Sequence, residues 1–159
     1  MSTARQMERS ARDLYQQDFF AWTQQQAQKL RAGQLSALDT KNLAEEVEDL
    51  GRSEKRALAS HMTVLLVHLL KWQHQPELHG KSWSLTIATQ RKELRYELAH
   101  SPSLKNLFND SEWLDLVWSK ARAGASAETG MDPDIFPESC PWDLASVMQE
   151  GWLPEAEHG

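Results

Sequence analysis

Residues 42–76 read NLAEEVEDLGRSEKRALASHMTVLLVHLLKWQHQP, and this run decides the fold. It opens with Glu45, Glu46, Glu48 and Asp49, passes a Gly51-Arg52-Ser53 joint, and ends in an apolar stretch carrying His61 and His68. Leu43, Val47 and Leu50 recur at spacings of four and three, the period of a helix with one apolar face. From Leu58 to Leu70 the apolar residues surround the helix axis, which predicts a central helix covered by several neighbours. Gly51 either bends this helix or splits it, with Ser53 able to cap the second part. At a cost of only about 1 kcal/mol relative to alanine, propensity favours a continuous helix with one weak point. Pro76 ends it, because the residue before a proline is pushed out of the helical region.

Working outward, a helix is expected from about Asp13 to Arg31, with Gly33 as its stop. Ser36 to Asp39 fits an S-x-x-[DE] capping pattern, which starts the central helix near residues 37–40. Ser82 is expected to cap a third helix that ends near His100, with Trp83, Ile87, Leu94 and Leu98 as its stripe. Ser103 is expected to cap a fourth, kinked at residues 109–111 and ending at Thr129-Gly130. Pro133, Pro137, Pro141 and Pro154 punctuate the remainder, yet Phe136, Trp142, Val147 and Trp152 are too apolar for a disordered tail. That pattern predicts an arm packed on the helices, with one short helix over residues 142–149. The expected fold is all-α: a four-helix-type bundle with a proline-punctuated C-terminal strap. Residues 1–12 are expected to be frayed, residues 13–130 to form the bundle, and residues 131–159 to pack on it as part of the same domain.

Composition narrows the function classes. The chain of 159 residues carries a net charge of −6. From Leu107 onward eleven acids face only Lys120 and Arg122, while the preceding residues net +3. The basic segments, at the N-terminus and over residues 81–105, are too thin to favour duplex binding, which relies on clustered phosphate neutralisation. An acidic C-terminal third suits a basic partner or a solvated face. Cys140 is the single cysteine, so no internal disulfide can form. No apolar stretch is long enough to span a bilayer and no secretory signal pattern opens the chain, which points to a cytoplasmic protein. Seven tryptophans supply either a dense core or a binding surface, with Trp83, Trp142 and Trp152 the candidates for the surface.

The candidate polar cluster is Glu46, Glu54, His61, His68, Lys71 and Arg91. At 100° per residue, Glu54, His61 and His68 fall on the core-facing stripe one heptad apart, so each needs a partner on another helix. His61 and His68 lie about 10 Å apart along the axis, too far to share one ion, and neither sits in a Glu-x-x-His or His-x-x-x-His pair. No metal site and no cofactor is therefore predicted. Glu46 is open to two readings: a member of a salt-bridged acidic face, or, in the sharper reading, a group that meets His68, Lys71 or Arg91 from a facing surface. Glu45, Glu48, Asp49 and Arg52 read as a local ion-paired face. No nucleophile elbow, phosphate-cradling loop or Cys-His arrangement occurs.

One resemblance covers nearly the whole chain. Leu14-Tyr15, Asp18-Phe19 and Trp22 carry it, followed by Asn42-Leu43-Ala44-Glu45-Glu46 with Glu48 and then Leu50-Gly51-Arg52-Ser53-Glu54. It continues through His68-Leu69-Leu70-Lys71-Trp72, Gln75-Pro76, Ser82-Trp83, Ile87, Gln90-Arg91 and Ser101-Pro102-Ser103-Leu104. Phe136-Pro137, Cys140-Pro141-Trp142 and Leu153-Pro154 complete it. On these residues, from about Leu14 to Glu155, the chain resembles the bacterial domain of unknown function family number 29. Where that family's pattern often has arginine before Ser82-Trp83, this chain has His79-Gly80-Lys81. The resemblance implies a helical bundle and brings no activity, substrate, cofactor or partner. The functional expectation is a non-enzymatic module acting through protein–protein contact, with a protein partner or a second copy. The alternatives are an enzyme or a ligand- or metal-binding protein using the polar cluster as a pocket between helices, and nucleic-acid contact through the basic segments.

Overall fold

The computed structural model describes residues 3–157. Every regular element among them is helical. The helices are α1 (Ala4–Gln17), α2 (Phe19–Arg31), α3 (Thr40–His74), α4 (Lys81–His100), α5 (Ser111–Thr129) and α6 (Leu144–Met148). Three of the four long helices expected from the sequence are present as α3, α4 and α5, and the other is divided between α1 and α2. The fold is all-α, a helical bundle with a proline-punctuated C-terminal strap. The chain divides into two compact units, one ending at Ser53 and the other beginning at Glu54.

In the first unit, helix ends follow from local chemistry. The chain start is helical from Ala4, where frayed residues were expected. The cause is a capping box: Gln6 N–H donates to Thr3 Oγ1 (3.4 Å) and Thr3 N–H to Gln6 Oε1 (3.0 Å). The single helix expected over residues 13–31 is broken at Asp18, which leaves helical geometry and accepts the Ala21 N–H at 3.0 Å to start α2. At Gly33 (φ +71°) the chain turns left-handed, so that Gly33 N–H donates to Leu30 O and Gln34 N–H to Lys29 O. This Schellman motif is the stop that the glycine predicts. Ser36 does not cap α3, because residues 35–37 form a 3-10 turn. The cap is Asp39, whose carboxylate accepts Asn42 N–H at 3.4 Å and Asn42 Nδ2 at 2.8 Å.

Buried apolar content is small in this unit: Ala11, Trp22, Ala37 and Leu38. Polar bonds therefore carry more of its definition. Asp39 is fully buried and also accepts Trp22 Nε1 at 3.1 Å, while its own N–H donates to Gln26 Oε1 at 2.8 Å. Val47 and Leu50, expected to face a core, are 64% and 69% exposed. Periodicity identified an apolar face on α3 here but could not say whether anything covers it.

The second unit holds the main core. Leu58, Met62, Leu65 and Leu69 form one seam of α3, and Leu66 and Leu70 widen it. Ile87 and Leu94 from α4, Trp113, Val117, Trp118 and Ala121 from α5, and Phe136 and Val147 from the strap close around it. Burying each large side chain contributes about 1.5–3 kcal/mol before chain entropy. Gly124 lets α5 approach α3, since a Cβ there would stand 2.9 Å from Val67 Cγ2. Helix α4 begins at Lys81 without a side-chain cap, so Ser82 lies inside the helix and not at its start. Residues 102–109 wind as a 3-10 segment, and Asp110, not Ser103, caps α5 by accepting Glu112 and Trp113 N–H groups.

The strap has no sheet partner, so its carbonyls must find donors elsewhere. Side chains of the bundle supply them. Trp118 Nε1 donates to Pro137 O (2.8 Å), Arg122 to Pro133 O (2.9 Å) and Ser126 Oγ to Met131 O (2.6 Å). Gln73 Nε2 donates to Glu155 O (3.1 Å), and Glu157 N–H returns a bond to Gln73 O (2.9 Å). The short helix expected in this region is α6.

Candidate functional site

The six residues of the predicted polar cluster have separate environments. Glu46, read as the partner of a basic group, instead accepts the Tyr15 hydroxyl at 2.5 Å within the first unit. In the second unit, no hydrogen bond or ion pair joins any two of Glu54, His61, His68, Lys71 and Arg91 among the described residues. Glu54, placed by periodicity on the core stripe, is exposed. Nδ1 of His68 donates to the Val64 carbonyl of its own helix at 2.9 Å, which leaves the Nε2 lone pair on the neutral ring. Lys71 reaches Glu128 at 3.8 Å, and its ammonium sits 4.6 Å from the centre of the Trp83 ring, a cation–π contact.

His61 makes the contact between α3 and α4. Its Nδ1 donates to Gln90 Oε1 at 2.7 Å, and its Nε2 lies 3.3 Å from Glu97 Oε1. Burial pushes the Glu97 carboxyl above its ordinary value; the neighbouring His61 ring opposes this when protonated, while Glu54 and Glu93 add to it. Oε2 of Glu97 is buried with no hydrogen-bond partner. Periodicity marks His61 as needing a partner on another helix, but Glu97 carries no signal of its own, because the helix register decides which acid arrives.

Arg91 is 3% exposed on α4. Its Nε donates to Val147 O at 2.8 Å and its Nη2 to Trp152 O at 2.6 Å, so it holds the end of α6 and the following chain. Burial lowers the guanidinium pKa, Arg95 lowers it further, and Glu150 opposes them.

Arg52 lies among Glu45 (3.4 Å), Glu48 (3.6 Å) and Asp49, all on the exposed face of α3. Such surface pairs contribute little, about 0–1 kcal/mol each. The three candidate surface tryptophans are half-buried: Trp83 lies under Lys71, and Trp142 stands edge-on to both Trp118 and Trp152. The Cys140 thiol is pushed up by burial, partly offset by a bond to Trp142 O, which disfavours the thiolate. Among the described residues no three His, Cys, Asp or Glu side chains are placed to hold a metal ion, and no helix is long and apolar enough to cross a membrane.

The Tyr15–Glu46 bond has a measurable consequence. Donation to the carboxylate, with burial and the charges of Glu46, Asp49 and Glu45 behind it, raises the phenol from 10.0 to about 12. The folded-state value is above the unfolded one, so the bond's stabilisation is complete below pH 10 and is lost as pH rises towards 12. In a Tyr96→Phe background the ultraviolet phenolate signal should titrate near 12, and Glu46→Gln should return it towards 10. A midpoint unmoved by Glu46→Gln would contradict the contact.

Neither the curated proteins nor the solved structures include a match to this chain. The family model described as domain of unknown function DUF29 matches residues 14–153. That match runs from within α1 into the strap and covers most of the chain, so the chain belongs to the DUF29 family.

Proposed function

We propose that this protein is a non-enzymatic helical module that works through protein–protein contact, and that one partner is a second copy docked on residues 43–51 of α3. The observation that carries this reading is the exposure of Val47 and Leu50, 64% and 69%, on a helical face. Contiguous exposed apolar surface marks interaction sites, and Val47 and Leu50 stand one turn apart on a single face of α3. Ala44 and Gly51 flank them, and a Cβ at Gly51 would meet nothing within 4 Å, so a second helix can approach closely. Antiparallel self-pairing centred between Val47 and Leu50 sets Val47 of one copy on Leu50 of the other and brings Glu45 opposite Arg52. That is an isologous contact, the commonest kind in homo-oligomers. Phe20, 73% exposed on α2, adds apolar surface to the same unit.

Light scattering over a wide concentration range tests the reading. The mass should rise from one chain to two, and Leu50→Glu, at an exposed position the fold tolerates, should hold it at one chain. A wild-type mass of one chain at every concentration would overturn self-docking.

A further inference from the structure

The other opening of interest lies wholly in the second unit, between α4 and the strap. It is a pocket of about 290 Å³ with apolar walls from Ile87, Ala88 and Leu153. Its polar lining is dominated by Arg91, Lys92 and Arg95, with Glu150 as the single acid. These three cations come from the basic segment over residues 81–105, whereas the chain as a whole is net −6 and its C-terminal third, which supplies the facing wall, is its most acidic part. Three cations to one carboxylate give the pocket a positive wall on α4.

Arg91 adds the chemical argument. A buried charge normally has a counter-ion, because desolvation is otherwise uncompensated. Here both bonds of the buried guanidinium go to neutral carbonyls, and no carboxylate pairs with it among the described residues. Nearby Arg95 makes the position less favourable for a cation still. An anion in the pocket would offset both penalties, and its apolar portion would cover Ile87 and Leu153. The volume lies at the lower end of the range for small-ligand sites, about 300–1,000 Å³.

We propose that this pocket binds a small amphipathic anion, with a carboxylate or phosphate head set against Arg91, Lys92 and Arg95 and a short apolar body against Ile87 and Leu153. Helix α4 supplies the charges, and the strap, held by Arg91 itself, supplies the opposite wall. A ligand here would brace the strap as well as fill the space.

Calorimetric titration of the full chain with hexanoate, hexyl phosphate and hexylammonium tests this. At least one of the two anions should bind saturably, and whichever binds identifies the head group; hexylammonium should not bind. Lys92→Glu and Arg95→Glu, both at exposed positions, should each weaken the anion by about tenfold or more while leaving the melting temperature of the free protein unchanged. Saturable binding of neither anion, equal binding of hexylammonium, or unchanged affinity in both variants would overturn the proposal.

Discussion

Arg91→Ala should release the strap. The substitution removes the donors of two carbonyls, Val147 O and Trp152 O, that the fold directs towards the guanidinium. Each buried acceptor left without a partner costs about 1–3 kcal/mol, so the loss should be roughly 2–5 kcal/mol. For a chain of this size that lowers the melting temperature by roughly 5–15 °C. Arg91→Lys keeps the charge but replaces a planar fork with one ammonium, so it should recover only part of the loss. Hydrogen exchange should localise the effect: amides of residues 144–153 should exchange faster, while those of the α3 seam at Leu65 and Leu69 should change least. A melting temperature within about 2 °C of wild type would mean that the apolar contacts at Phe136 and Val147 and the other side-chain bonds hold the strap without Arg91.

Asp39→Leu should be comparably damaging in the first unit. One carboxylate there caps α3, accepts the buried Trp22 indole N–H and binds the Asn42 amide. Leucine has the same branched outline but is larger, and it leaves the indole N–H without an acceptor and the helix start without a cap. An unpaired buried donor costs about 1–3 kcal/mol and a lost cap about 1 kcal/mol, which gives roughly 2–4 kcal/mol. Asp39→Asn keeps one acceptor oxygen and should cost less. The intrinsic fluorescence of Trp22, tightly enclosed and 2% exposed, should shift to the red in Asp39→Leu. An unshifted spectrum and unchanged stability would contradict the role given to this carboxylate.

The difference between what could and could not be read in the sequence follows the direction of the contacts. Helix α3 was legible across its whole length, because apolar spacing, a single tolerated glycine and Pro76 are all local signals. Gly33 was legible for the same reason, since a left-handed residue after a helix favours glycine. Asp39 was noticed but assigned as the acidic member of a cap led by Ser36. The 3-10 turn at residues 35–37, which moves the cap three residues on, depends on how the turn packs. Arg91 stood out at the edge of an apolar stripe, yet its acceptors are main-chain carbonyls of the strap, and a carbonyl has no residue type to recognise. Glu97 and Tyr15 were missed because their partners, His61 and Glu46, lie 36 and 31 residues away along the chain. Val47 and Leu50 show the converse. Their spacing is the same whether a face is covered within the chain or by a partner, and only the three-dimensional arrangement leaves them open.

That open face is where the functional account can be tested most directly. In a Cys140→Ser background, which removes the native thiol, Leu50→Cys and Glu48→Cys place one cysteine each on the exposed part of α3. Antiparallel pairing in this register sets position 50 beside position 47 of the other copy, only about 4.5 Å along the axis from its own counterpart on the same seam, and turns position 48 outward. Under mild oxidation at matched concentration, Leu50→Cys should form disulfide-linked dimers much faster than Glu48→Cys. Equal rates at the two positions, or no linked dimer from Leu50→Cys, would contradict self-docking on this face.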